Sequence, residues 1–117
     1  MRLHHVQLAI PAGSESQCRQ FYGETLGWQE LEKPLVLAAR GGLWFAAGAS
    51  EVHLGVEADF RAARKAHPAF AVADIGGLAE RMRMAGATVD FDDAIPGLRR
   101  FYTADPVGNR IEFLEER

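Results

Sequence analysis

The chain has a single cysteine, Cys18. An intramolecular disulfide is thereby excluded, and so is a cysteine-rich zinc site. The thiol is expected as a small helix residue, packed or partly exposed, rather than as a reactive group. No stretch approaches the roughly 20 apolar residues that a membrane-crossing helix needs. The opening MRLHHVQLAIP lacks the charged start, long apolar run and small-residue cleavage site of a secretory signal, so a cytoplasmic location is the expectation. Basic residues form no cluster: 13 Lys and Arg stand against 16 Asp and Glu, a formal net charge of -3, which argues against a general nucleic-acid binder. No segment is of low complexity.

What is present is a core. The 117 residues are 48% hydrophobic and 25% charged, values that suit one folded domain over 1–117. Val6, Leu8 and Ile10 alternate with polar or small neighbours, which predicts a half-buried strand ended by Pro11. SESQCRQFYGETLG then reads as a short amphipathic helix, with Ser14 as N-cap and Gly27 as its stop. Segments around WQELEK, PLVLAARG with GLWFAAG, and EVHLGVE follow as an expected antiparallel meander.

After a charged connector at about 58–65 the order begins again. HPAFAVADI predicts a strand and IGGLAERMRMAGA a helix; TVDFDDAI, RRFYTAD and NRIEFLEE predict three more strands. Both halves, about 1–57 and about 66–117, therefore read βαβββ, which gives an α+β fold of two modules. The repeat extends to single residues. His5 heads the first strand as His67 heads its counterpart, and Val52-His53-Leu54 corresponds to Ile111-Glu112-Phe113.

Successive strand residues face opposite sides. His53 and Glu112 each lie between two apolar neighbours, and His5 and His67 alternate with apolar positions. All four are thus expected on the face away from the helices, while His4, one residue before His5, is expected on the other side and non-ligating. Three imidazoles and a carboxylate suit a divalent first-row metal such as Zn²⁺, Ni²⁺, Co²⁺, Mn²⁺ or Fe²⁺. On an octahedral ion four such ligands leave about two positions for water or substrate. A single polar residue on an open strand face ordinarily just meets solvent, and it is the repetition that raises these four above that reading.

Further polar groups are placed to orient a substrate. Arg100 and Tyr102 share a strand face, where Arg100 is a candidate clamp for an anionic group, and Gln7 shares the face of His5. Trp28, Trp44 and Phe45 are expected in the core or as pocket wall. The Asp105-Pro106-Val107-Gly108-Asn109 turn is expected to aim the final strand, without catalytic work for Asp105.

The paired βαβββ modules, HHVQLAI, FYGETLGW and FYTADPVGNRIEFLE resemble the vicinal oxygen chelate superfamily, which includes glyoxalases, bleomycin-resistance proteins and extradiol dioxygenases. The resemblance spans essentially the whole chain. It implies curved mixed sheets around a concave site, and metal ligands from the first and last strands of each module: by position His5, His53, His67 and Glu112. It also implies a glyoxalase-like lyase or isomerase, with a bound divalent metal chelating neighbouring oxygens of a small substrate and Glu112 as candidate base. A histidine at position 53 departs from the glutamate often found there. Members similar to fosfomycin-modifying transferases or extradiol dioxygenases use two histidines and a glutamate, which His5, His67 and Glu112 supply. The competing class is a bleomycin-resistance-like protein that sequesters a small molecule without catalysis. A homodimer is expected in either case, with sites completed within one chain or between two.

Overall fold

The computed structural model describes residues 1–116. Two four-stranded sheets carry the two halves of the repeat in the same internal order. In the first, β1 (His5–Ile10) lies beside β4 (Ser50–Val56), followed by β3 (Leu43–Ala47) and β2 (Gln29–Leu31). In the second, β5 (Ala69–Val72) lies beside β8 (Arg110–Glu115), followed by β7 (Arg100–Ala104) and β6 (Asp90–Asp92). The first strand of each half runs parallel to the last, and the remaining neighbours are antiparallel. Parallel neighbours need a long crossover. Here each crossover consists of the helix and the two strands between, which makes βαβββ the smallest unit that closes the pairing.

The helix of the first half begins as α1 (Glu15–Cys18) and continues as a π-helix over Arg19–Thr25. The sequence pattern predicts only a plain helix. The wider turn is closed by Leu26 N–H donating to the Phe21 carbonyl at 3.0 Å, and Cys18, Phe21, Tyr22 and Leu26 all reach the core. Over so short a segment the apolar spacing fits either winding. Ser14 stands at the N-cap as expected, but its hydroxyl donates to the Pro11 carbonyl (2.7 Å) and caps no helix N–H.

PLVLAARG is not a strand. Leu35–Ala38 forms a short helix, α2, with Leu35 and Val36 90% and 76% exposed. Pro34 sets the turn, no alternation follows it, and Gly41-Gly42 pins the far end. Both glycines have positive φ, and a Cβ on Gly42 would fall 2.1 Å from the Leu54 carbonyl oxygen, so the loop returns against β4 only because that side chain is missing. In the second half α3 (Ile75–Met84) follows the predicted pattern. Asp74 caps it by accepting from Gly77 N–H (3.0 Å), and Ile75, Leu78, Ala79 and Met82 face inward.

One buried cluster takes residues from both halves, including Ile10, Tyr22, Phe45 and Val52 from the first and Ile75, Met82, Phe101 and Phe113 from the second. A polar knot joins them. The Tyr22 hydroxyl donates to Asp105 Oδ2 at 2.6 Å, while Val107 N–H and Asn109 N–H donate to Oδ1 at 3.1 and 2.8 Å. Asn109 Nδ2 donates to Asp105 Oδ2 (3.2 Å) and to the Ala9 carbonyl of β1 (2.8 Å), and Asn109 Oδ1 accepts from Ala63 N–H (2.9 Å). The turn that was expected merely to aim β8 therefore also fastens the second half to the first.

Two outcomes follow from this packing. Tyr22→Phe keeps the ring but removes a donor from a buried carboxylate, which is expected to cost about 1–3 kcal/mol. The measurement is a lowered urea midpoint at unchanged slope; an unchanged midpoint would show that the knot carries no stability. Cys18 is fully buried, and burial, then the Asp105 charge, pushes its thiol up to about 11. Iodoacetamide at neutral pH is therefore expected to label it in urea and to leave it untouched in the native protein.

Candidate metal and substrate site

Glu112 lies on β8 between buried Ile111 and Phe113, and its side chain is itself only 8% exposed. A buried charge needs partners. His67 Nε2 is 3.0 Å from its Oε1, and Arg100 Nη1 is 3.4 Å from its Oε2. His67 is expected within the first strand of the second half, but β5 begins at Ala69, leaving His67 just upstream where Pro68 still accepts from Glu112 N–H (3.0 Å). The other ring nitrogen of His67, Nδ1, lies 2.8 Å from the Lys65 carbonyl, which only accepts, so Nδ1 is the donor. Nε2 then faces a carboxylate oxygen, and a proton or another cation has to lie between them.

Arg100 and Tyr102 share the face of Glu112, as the alternation predicts. Tyr102 is the cross-strand partner of Glu112 and stands edge-on to the His67 ring at 5.4 Å. Its hydroxyl accepts from Arg100 Nη1 at 2.9 Å, and Arg100 also meets Asp92 Oδ2 at 3.5 Å. Desolvation works against the Arg100 charge, but the hydrogen bond to Glu112 and the neighbouring acidic groups outweigh it and raise its pKa. The buried Nε of Arg100 has no partner among the described residues.

The first half is arranged differently. His53 is buried on β4, and its ring is clamped flat between His5 (centroids 4.2 Å, 12°) and Trp44 (4.1 Å, 9°). Its Nε2 lies 2.9 Å from Glu51 Oε1. That hydrogen bond first, and the charges of His4, His53 and His5 after it, lower the pKa of Glu51. Gln7 shares the face as expected, but its amide folds over Gly55, where a Cβ would come within 2.6 Å of Nε2. His4 does not turn away from His5: their Nδ1 atoms are 2.9 Å apart, because β1 starts only at His5 and strand alternation does not yet hold at residue 4.

The four expected ligands thus form two pairs, His5 with His53 and His67 with Glu112. Among the described residues no three His, Cys, Asp or Glu side chains converge on one ion within the chain. The second pair fits a metal. Two adjacent ligands with bonds of about 2.0–2.2 Å at right angles are roughly 3 Å apart, which is the His67–Glu112 separation, and both side chains are held from behind by Lys65 and Arg100. The first pair, as stacked, offers one ligand. An imidazole binds an ion lying in its own plane, and two nearly parallel planes share no such point, so His53 joins His5 on one ion only by leaving the stack. Sequence reading missed Glu51, two residues from His53 on the same face, and Arg110, two residues from Glu112. The spacing of two was the available signal for both.

A cavity of about 440 Å³ separates the two halves beside β1 and β5, lined by Leu3, Val6, Trp28, Pro68, Phe70 and Phe113. No helix is long and apolar enough to cross a membrane among the described residues.

Among solved structures, a glyoxalase family protein from Bacillus anthracis is 47% identical, with a TM-score of 0.96 over 100% of this chain and 96% of that one. Lactoylglutathione lyase from Agrobacterium tumefaciens superposes with a TM-score of 0.76 at 18% identity, over 97% and 92% of the two chains. A genomically encoded fosfomycin resistance protein from Listeria monocytogenes gives 0.79 at 14% identity, over 100% and 94%. The last two share the fold alone. No curated protein sequence matches the chain significantly. The family profile described as Glyoxalase/Bleomycin resistance protein/Dioxygenase superfamily matches residues 2–113. With that match over nearly all of its length and two mixed sheets in the same order, the chain belongs to the glyoxalase/bleomycin resistance/dioxygenase superfamily.

Proposed function

We propose that this protein is a metal-dependent enzyme acting on a small molecule with two neighbouring oxygens, by glyoxalase-like lyase or isomerase chemistry. The observation that carries the reading is the His67–Glu112 pair, with donors 3.0 Å apart and each side chain braced by a further contact. His5, His67 and Glu112 are the core of the ligand set, and His53 is a fourth ligand once its ring turns out of the stack. A divalent ion held there supplies Lewis acidity toward negative charge developing on substrate oxygen.

The chain's own groups do the rest. Arg100 holds Glu112 in one orientation through its Nη1. Glu112 Oε1 is placed to take and return a proton on a bound substrate. Tyr102 stands edge-on beside His67, and Trp44 covers one face of the His53 ring.

One chain places its two pairs with separate sheets, and no three ligating side chains converge among the described residues, so we propose that a homodimer joins His5 and His53 of one chain to His67 and Glu112 of a second. Each chain would also supply a divalent-ion site complementary to the other's. A sequestering role, as in bleomycin-resistance-like proteins, draws support from the apolar cavity between the halves, which is large enough for a small organic ligand.

Chelator-stripped protein reloaded separately with Ni²⁺, Zn²⁺, Mn²⁺ and Fe²⁺ is expected to hold one ion per site by elemental analysis. His67→Ala and Glu112→Ala are expected to hold none; stoichiometric metal in both variants would sink the proposal, and no metal in the wild type would move it to the sequestering role. His53→Ala is expected to weaken metal binding by less than His67→Ala, read as the ratio of dissociation constants. Mixing His5→Ala with Glu112→Ala is expected to restore about a quarter to half of the sites if they are shared between chains, and none if each chain builds its own.

A further inference from the structure

We propose that the small molecule taken by this site carries a separate oxyanion, a carboxylate or a phosphoryl group, and that Arg110 receives it. The inference rests on the function proposed above and names its substrate class.

Arg110 and Glu112 are two residues apart on β8 and share a face. Across the strand Arg110 faces only Ala104. The space so left is taken by its own side chain, which lays the guanidinium carbon 3.9 Å from the centre of the Tyr102 ring. The stack fixes the plane of the guanidinium and covers its flat side, while the N–H edge, where its donors lie, stays open. The backbone is held too, by Arg110 N–H donating to the Ala63 carbonyl at 2.8 Å.

The contrast with Arg100 is instructive. Arg100 is spent on Glu112, Asp92 and Tyr102. Arg110 has no carboxylate within 4.0 Å among the described residues. A guanidinium fixed in place, without a counter-ion and on a cavity wall, is built to meet a planar or tetrahedral oxyanion through paired hydrogen bonds.

The cavity is there, about 320 Å³, lined by Arg64, Thr88, Asp90, Tyr102, Gly108 and Arg110. Two guanidiniums stand against one carboxylate. The Tyr102 hydroxyl accepts from Arg100, which leaves its own proton free to donate. Tyr102 is also the wall shared with the chelating pair, cross-strand from Glu112 and edge-on to His67. The Tyr102 ring stands between the two places, with the Arg110 guanidinium 3.9 Å over it and the His67 ring edge-on at 5.4 Å, so a molecule with its neighbouring oxygens toward His67 and Glu112 and its oxyanion toward Arg110 would pass beside that ring.

The test is an NMR titration of the metal-free full chain with inorganic phosphate and, separately, with acetate, following the Arg110 Nε–H signal in the wild type and the Tyr102 and Gly108 backbone N–H signals, which every variant keeps. At least one anion is expected to shift these signals saturably, and Arg110→Gln to weaken its binding at least tenfold, roughly the loss of one charge-assisted pair. A response to phosphate alone assigns a phosphoryl group, and a response to acetate alone a carboxylate. Arg110→Lys, which keeps the charge without the fork, is expected to retain part of the phosphate binding and little of the acetate binding. No shift with either anion, or equal affinity in Arg110→Gln, overturns the inference. Metal content is measured on portions of the same preparations reloaded with a divalent ion, so loss of the metal reading and loss of the anion site appear as separate results.

Discussion

The buried carboxylate of Asp105 is what the arrangement of the two halves hangs on. It sits in the core with no ion pair among the described residues and is held by the Tyr22 hydroxyl, two backbone N–H groups and the Asn109 amide. Such a group tolerates few alternatives, because removing any donor leaves charge unsatisfied in a medium that solvates it poorly. The donors come from both halves, and Asn109 adds a bond to the Ala9 carbonyl. The knot therefore fixes the helix of the first half against the final turn of the second, and with it the directions in which the two sheets turn their open faces. Burial and the Asp105 charge also keep the Tyr22 phenol protonated, with its pKa raised well above the ordinary value, so the donor that completes the knot is never lost at physiological pH.

Much of this was legible in the residues. The repeat announced itself in the matched Val52-His53-Leu54 and Ile111-Glu112-Phe113, and alternation correctly placed His53 and Glu112 opposite their apolar neighbours. The expected strands failed where a different constraint prevailed. At Leu35–Ala38 apolar residues stand in solvent because Pro34 and Gly41-Gly42 dictate the path, and composition alone does not reveal that. The π-helical turn was hidden because its apolar spacing fits an ordinary helix as well. Asp105 was underestimated for another reason: a local turn motif explains the residue so adequately that its long-range partner, Tyr22, leaves no trace in the sequence.

The site was legible as a set of residues and not as a geometry. Strand periodicity says which side a group faces, not which way a ring is turned, so nothing in EVHLGVE distinguishes an imidazole poised for an ion from one stacked between His5 and Trp44. The two halves consequently differ in readiness. His67 and Glu112 stand at ligand spacing with their outer contacts made, whereas His53 gives up two ring contacts and its bond to Glu51 before it can join them.

The parallel pairing of each first strand with its last also shapes how the molecule comes into being. His5 lies opposite Glu51, and Ala69 opposite Glu112, so the parallel pair at one edge of each sheet joins positions from the two ends of its module. Contacts of such long range close slowly, because the chain loses loop entropy before the pairing rewards it. Both candidate pairs straddle these seams, His5 with His53 and His67 with Glu112. On a ribosome neither pair can form until the last strand of its module has emerged, so the first pair can assemble well before the second.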